Sequence, residues 1–221
     1  MQVCRVLRNS LWLAAALCLY AQDTPTPAVN IADIPRMPPR GSANDYQAHA
    51  RIGQVMIGAE FMRHAVPTPQ GEFSTEDFVV VETGFFGAAP GEKAKLNIQD
   101  FSMRINGKKA VPSEQYGVVL SNLKDPSWQP PEPPKPKAGG LSTGGEGGNP
   151  GDPPPPPPKM PLPLVHIMQL RVQKAALPEG ERTLPEAGLL FFPCRTPSDK
   201  IRSVELIYSG PAGKATLTLN P

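Results

Sequence analysis

The chain of 221 residues contains 30 prolines and carries 22 Lys and Arg against 20 Asp and Glu, a formal net charge of +2. Two of the cations, Arg5 and Arg8, precede every acidic residue, so the rest of the chain is close to neutral. A near-neutral chain has no strong field to attract nucleic acid or anionic lipid, and we exclude both as partners recruited by charge.

Residues 1–21 have the layout of a secretory signal peptide. Arg5 and Arg8 are followed by an apolar run over residues 11–20 and by the small residue Ala21. The run is about half of the roughly 20 residues that span a bilayer. We therefore expect cleavage after Ala21 and an exported protein, in the periplasm, the cell envelope or outside the cell, with no transmembrane segment after cleavage.

Cysteine usage predicts an exported chain without an internal disulfide. Cys4 and Cys18 lie inside the signal peptide, which leaves Cys194 alone. We interpret Cys194 as a small buried residue at the end of the apolar stretch 188–192, rather than a nucleophile or an intermolecular link. The fold must therefore rest on its hydrophobic core.

The first structured part is predicted to run from residue 44 to 125. Residues 22–43, rich in proline and small polar side chains, predict a disordered segment. After them, Val55, Ile57, Ala59 and Phe61 recur at every second position, which is the period of a half-buried strand.

Further strands follow in this part. The stretch 77–86 is apolar on both sides at its centre, and a shift of apolar phase at residues 99–100 predicts a bulge or a corner where the chain changes sheet. Asn106 and Gly107 favour the positive φ values of a tight two-residue hairpin turn. Residues 116–120 predict one more short strand.

Residues 126–163 break this pattern. They hold fifteen of the 30 prolines together with a glycine-rich stretch. Proline lacks the N–H that a sheet ladder needs, and glycine loses much entropy when ordered, so we expect a disordered Pro/Gly-rich insertion.

The second structured part, residues 164–221, begins with an ambiguous segment. Leu164, Met168, Val172 and Ala175 fall on one helical face, although Met168 and Val172 also fit a strand. The Gln, Lys and Ala content and the Leu177-Pro178 stop favour a short helix. A continuous apolar run then predicts a strand at 188–192, and apolar alternation predicts the closing strands at 204–208 and 214–219.

These patterns predict a mainly β protein of about seven or eight strands with one short helix. Neither 44–125 nor 164–221 is large enough to bury a good core alone, so we expect the two parts to complete one antiparallel β-sandwich. The stretches 184–192 and 203–219, with the mid-domain strand 100–109, resemble secreted bacterial immunoglobulin-like domains of the telokin-like type. That resemblance implies an immunoglobulin-like envelope domain and no catalytic residues.

The sequence contains no motif of a metal site or a catalytic site. His49, His64 and His166 stand in three separate segments without metal-ligand spacing, so we expect no metal site, no cofactor and no enzyme activity. Binding residues are not identifiable from the sequence. We predict a non-catalytic binding or structural module with a protein or glycan ligand in the envelope; alternatively, an accessory subunit docks through its proline-rich arm.

Overall fold

The computed structural model describes residues 33–131 and 158–221; the predicted signal peptide, residues 22–32 and the middle of the proline-rich insertion lie outside them. The described residues form thirteen strands and two helices. The strands are β1 (Ala48–Ile52), β2 (Val55–Arg63), β3 (Ala65–Thr68), β4 (Gly71–Thr75), β5 (Phe78–Gly87), β6 (Lys93–Leu96), β7 (Phe101–Ile105), β8 (Val111–Pro112), β9 (Leu123–Lys124), β10 (Gly180–Thr183), β11 (Glu186–Pro193), β12 (Val204–Gly210) and β13 (Gly213–Leu219), and the helices are α1 (Tyr116–Val119) and α2 (Leu162–Ala175).

Two four-stranded antiparallel sheets organise the molecule. The central sheet has the order β1-β2-β5-β11, and the outer sheet has the order β13-β12-β7-β8. Strands β11, β12 and β13 follow the insertion, so both sheets combine strands from its two sides. The prediction of a mainly β, antiparallel protein is confirmed. The strand number was predicted too low, because strands of two to five residues are too short to show a clear period.

The first hydrophobic core lies between the two sheets. The central sheet contributes Ile57 and Leu190 to it, and the outer sheet contributes Met103, Leu206 and Leu217. These side chains are at most 3% exposed. The alternation predicted for β2, β12 and β13 therefore places their apolar side chains on the faces that meet here.

A second core covers the opposite face of the central sheet. Helix α2 contributes Met168 and Val172, and they pack with Phe78 and Val80 of β5 and with buried side chains of a small sheet, β3-β4-β9. Strand β5 is therefore covered on both faces. This double burial explains why its sequence is apolar at successive positions rather than at every second one.

Two turns confirm the reading of the middle of the chain. Strand β6 pairs with β10, and after a 3-10 turn at Ile98–Asp100 the chain enters the outer sheet as β7, so the predicted corner is a change of sheet. Asn106 and Gly107 have φ values of 52° and 69°, and the Lys108 N–H donates to the Ile105 carbonyl at 3.0 Å. The hairpin loop is longer than predicted, since β8 begins only at Val111.

The helix predicted after the insertion is confirmed as α2, but it starts earlier than expected. Leu162 is its first residue, so the insertion ends before Pro163. A proline in the first helical turn removes no intrahelical bond, since the first four N–H groups have no partner there. Leu164 was expected on the buried face, yet it is 46% exposed, and its neighbour Val165 packs against the second core instead.

The strand predicted for residues 116–120 is wrong. This stretch forms α1 followed by a 3-10 turn at Leu120–Asn122. Val119 is fully buried in the second core and Tyr116 and Leu120 pack against it, whereas Val118 is 52% exposed. The Glu114 N–H already donates to the Phe191 carbonyl at the edge of β11, so the chain turns here to reach β9.

The structure also differs from the prediction of disorder for residues 33–43. Residues 33–46, which we call the N-terminal strap, lie against the part of the central sheet that the second core leaves uncovered. Ile34 and Ala43 are 5% and 4% exposed. Proline-rich composition concealed this packing, which depends on specific contacts of Arg40 and Tyr46 described below.

Candidate binding cleft at the edge of the central sheet

The histidines singled out by the sequence stay apart in the fold. His49 lies on β1 and His166 on α2, and both are exposed. His64 lies between β2 and β3, where its ring nitrogens are 2.7 Å and 3.0 Å from the carbonyl oxygens of Phe78 and Thr196. Within residues 33–131 and 158–221, no three His, Cys, Asp or Glu side chains group as metal ligands would.

Cys194 occupies a structural position. It is partly buried against the first core, and its N–H donates to the Asp77 carbonyl at 2.8 Å. Its thiol is free. The prediction that Cys194 is buried is therefore met only in part, because the residue is partly buried and follows the last residue of β11.

A charged cluster anchors the strap to the central sheet. The Arg40 guanidinium donates to both carboxylate oxygens of Glu82, at 3.0 Å and 2.8 Å, and pairs with Glu60 on the neighbouring strand. It also stacks on Tyr46, 4.5 Å from the ring centroid. The hydrogen bonds to Glu82 raise the pKa of Arg40 above its usual value, against the opposing effect of burial. All these charges are satisfied within the cluster, which therefore acts as a structural anchor.

Two glycines of the central sheet make room for the strap. A Cβ atom at Gly58 or Gly84 would overlap the ring of Tyr46. The two glycines are paired on β2 and β5, so together they form a shallow trough. The aromatic ring fills this trough and covers the sheet on the side where α2 does not reach.

The candidate binding site lies at the outer edge of β11. Two segments cover this edge: the Glu114 N–H donates to the Phe191 carbonyl at 2.8 Å, and the Leu177 N–H donates to the Leu189 carbonyl at 3.0 Å. Next to these contacts is a cleft of about 380 Å³, which we call the β11 cleft. Its volume falls in the lower part of the roughly 300–1,000 Å³ range of ligand sites.

The path of the chain after α2 shapes one wall of the β11 cleft. The helix ends at Ala175, and Pro178 prevents its continuation. The chain then crosses β11 at Gly188, where a Cβ atom would lie 2.5 Å from the Leu177 backbone nitrogen. Only glycine permits this close crossing, which brings Leu177 into the first core.

The floor of the β11 cleft is apolar and its rim is charged. Ile98, Leu177, Leu189 and Phe191 line the floor, and each is almost completely buried. The rim carries the charged side chains Arg36, Glu114, Lys174 and Glu179, together with Tyr116, Gln115 and Gln173.

Most of the rim charges form no ion pair with another described residue. Arg36 lies 3.6 Å from Glu186. In the part of the chain that the structure describes, no ion pair involves Glu114, Lys174 or Glu179. An apolar floor with convergent, unpaired polar groups is the arrangement expected of a ligand-binding site.

Comparison of the chain with family models, with curated proteins and with solved structures found no match. Among the described helices, none combines the length and the apolar character needed to cross a membrane. The β11 cleft was not anticipated from the sequence, although two of its determinants, the Leu177-Pro178 stop and the apolar strand that begins at Gly188, were recognised as local features.

Proposed function

We propose that this chain is an exported, non-catalytic binding module with an immunoglobulin-like β-sandwich of the telokin-like type. Two antiparallel sheets that share a core support the sandwich, and the layout of residues 1–21 supports export. Helix α2 and the N-terminal strap are additions that cover one face of the central sheet. The proposed partner is a protein or glycan of the cell envelope.

The observation that carries this proposal is the β11 cleft. The cleft is concave, and its volume of about 380 Å³ lies within the roughly 300–1,000 Å³ range of ligand sites. Glu114, Lys174 and Glu179 at the rim form no ion pair among the described residues, and their charges give the site a means to select its ligand.

Site-specific crosslinking in the native host tests the proposal. A photo-reactive amino acid replaces Gln115, an exposed residue of the cleft rim, and in a control it replaces Thr216, an exposed residue of β13 remote from the cleft. We expect a discrete crosslinked partner from position 115 and none from position 216. Equal crosslinking from both positions would contradict a ligand site at the cleft.

A variant with a shortened insertion shows whether the partner binds at the cleft or at the proline-rich arm. Residues 132–157 are replaced by a brief Gly/Ser linker, whereas Met160 is retained because it packs against the second core. Loop closure changes by only about 0.6 kcal/mol per doubling of length, so the fold should tolerate the change. Crosslinks from position 115 should persist; their loss would favour docking through the arm.

Export has its own test. The intact mass of material from the envelope fraction should correspond to a chain that begins at Gln22. A species that retains residues 1–21 would refute cleavage after Ala21.

A further inference from the structure

The N-terminal strap is attached to the central sheet by side chains. Its backbone–backbone hydrogen bonds, such as that from the Tyr46 N–H to the Ala43 carbonyl at 3.3 Å, are internal to the strap. In the part of the chain that the structure describes, no backbone hydrogen bond joins the strap to a strand of the sheet. A terminal segment that shares no ladder with its sheet can open while the sheet stays folded, because opening breaks only side-chain contacts.

The sheet beneath the strap carries two opposed carboxylates. Glu60 on β2 and Glu82 on β5 are directly paired across the two strands, and the side chain of Glu82 is almost completely buried. Like charges that face each other destabilise a sheet, and a buried carboxylate needs a partner. This pair of acids therefore requires a cation, and Arg40 of the strap supplies it.

A guanidinium group fits these two acids better than an ammonium group does. The Nε and Nη2 atoms of Arg40 donate to the two carboxylate oxygens of Glu82, while Nη1 pairs with Glu60. The planar fork thus reaches both acids at once, whereas the ammonium group of lysine is a single point charge. The two acids therefore select arginine over lysine.

A place for an aromatic ring adjoins the two acids. Gly58 and Gly84, which form the trough, lie two residues from the acids along β2 and β5 and hence on the same face of the sheet. The ring of Tyr46 fills the trough, and its centroid lies 6.0 Å from that of Phe86 in an edge-to-face contact. The guanidinium group of Arg40 stacks on this ring, so the acids and the trough hold one arginine and one aromatic side chain together.

We propose that this face of the central sheet is a binding site for a peptide segment with an arginine and an aromatic residue, and that the strap occupies it as an internal ligand. When the strap opens, the two acids and the trough become available to an equivalent segment of another protein. The closed strap blocks such a segment, because a tethered ligand competes at a high effective concentration. The strap is therefore an autoinhibitory cover. The site is separate from the β11 cleft and does not depend on it.

Native-state amide hydrogen exchange of the protein that begins at Gln22 tests the opening. The Tyr46 amide should exchange through a local opening that is almost insensitive to dilute urea, whereas the amide of Val81, at the centre of β5, should exchange through an opening that urea promotes strongly. Arg40→Ala should accelerate exchange at Tyr46 by about tenfold or more, the effect expected when charge-assisted hydrogen bonds are lost. The control Arg104→Ala, which breaks an exposed pair of the outer sheet, should not accelerate it.

A peptide of residues 36–46, acetylated and amidated, tests the site by amide NMR titration. Added to the Arg40→Ala protein, it should shift the amides of Gly58 and Gly84. It should bind there about tenfold or more tightly than to the parent, whose own strap fills the site. Peptides with Arg40→Ala or Tyr46→Ala should bind about tenfold or more weakly, and the peptide with Arg40→Lys should also bind more weakly, because an ammonium group does not replace the fork.

Two further proteins keep the titration decisive. The Arg104→Ala protein retains its strap and should bind the peptide as weakly as the parent does. A dispersed amide spectrum shows that Arg40→Ala is folded; if it is not, the Arg40→Lys protein replaces it, since it keeps the positive charge but loses the fork, and the same ranking of peptides is expected.

Exchange of the Tyr46 amide only through the global unfolding that exposes Val81 would overturn the inference, because the strap would then not open by itself. The absence of shifts at Gly58 and Gly84, equal binding of the arginine and alanine peptides, or equal binding by the parent and the Arg40→Ala protein would overturn it as well. Crosslinking from position 115 concerns the β11 cleft and judges that site separately.

Discussion

Replacement of Arg40 by alanine should remove the anchor of the N-terminal strap. The side chain of Glu82 is only 6% exposed and receives two hydrogen bonds from Arg40, and Glu60 faces it across the β2–β5 pair. Without Arg40, the carboxylate of Glu82 stays buried beside a second negative charge. The loss therefore includes the cost of an unpaired buried charge as well as that of the pair itself.

The expected loss of stability lies between the losses measured for exposed and for buried ion pairs. Loss of one partner from a buried pair costs about 3–5 kcal/mol, and an exposed pair contributes about 0–1 kcal/mol. Arg40 is 29% exposed and Glu60 32%, so solvent screens part of the effect. We expect Arg40→Ala to lower the free energy of unfolding by about 2–4 kcal/mol.

Urea unfolding of the protein that begins at Gln22 measures this loss. With a slope near 2 kcal/mol/M, the midpoint should fall by about 1–2 M. The matched control is Arg104→Ala, since the cross-strand pair of Arg104 with Glu205 has side-chain exposures of 43% and 36%. That variant should lose less than about 1 kcal/mol.

A second substitution shows whether the buried charge is the cause. In the double variant Arg40→Ala with Glu82→Gln, no unpaired negative charge remains at position 82, so part of the lost stability should return. If Arg40→Ala costs no more than Arg104→Ala, or if Glu82→Gln restores nothing, the strap is not anchored by this cluster and the reasoning fails.

Three further predictions follow from the packing. Gly188→Ala should lower the free energy of unfolding by about 1–3 kcal/mol, measured by urea unfolding, because the new Cβ overlaps backbone atoms of Leu177. The control is Gly117→Ala, where no heavy atom lies near the new Cβ. This control should be neutral or slightly stabilising. Leu217→Ala should cost about 2–5 kcal/mol, since this side chain is 3% exposed in the first core, and a loss below 1 kcal/mol would contradict that burial. Burial raises the pKa of Asp100 above its ordinary value of 3.8, so its contribution to stability decreases as pH rises from that value through the raised pKa. Asp100→Asn should therefore raise the unfolding midpoint at pH 7, and the difference from the parent should vanish at pH 3; a difference that is independent of pH would show another cause.

Local patterns in the sequence were reliable wherever one interaction decides the structure. Alternating side chains identified β2, β12 and β13, because a half-buried strand must place every second residue in the core. The Asn106-Gly107 pair identified its turn because few residues accept two successive positive φ values. Proline at 178 marked the end of α2 through its missing N–H.

Residues distant in sequence decided the rest. Composition predicted disorder for the strap, and only the approach of Arg40 to Glu60 and Glu82 reveals its order. The segment of α1 was mistaken for a strand, since its short apolar run fits the period of a helix as well as that of a strand. Its position at the edge of β11 decides that it is helical.

The sequence by itself therefore determined a mainly β, antiparallel protein with one helix after the insertion, because alternation, turn residues and helix stops are local properties of the chain. Only the tertiary structure decided the position of the strap and the existence of the β11 cleft. Arg36, Glu114, Lys174 and Leu189 lie in four separate segments, and long-range hydrogen bonds at the edge of β11, together with the close crossing at Gly188, bring them together. Such contacts leave no periodic trace in a single sequence, since each segment separately satisfies only its own local geometry.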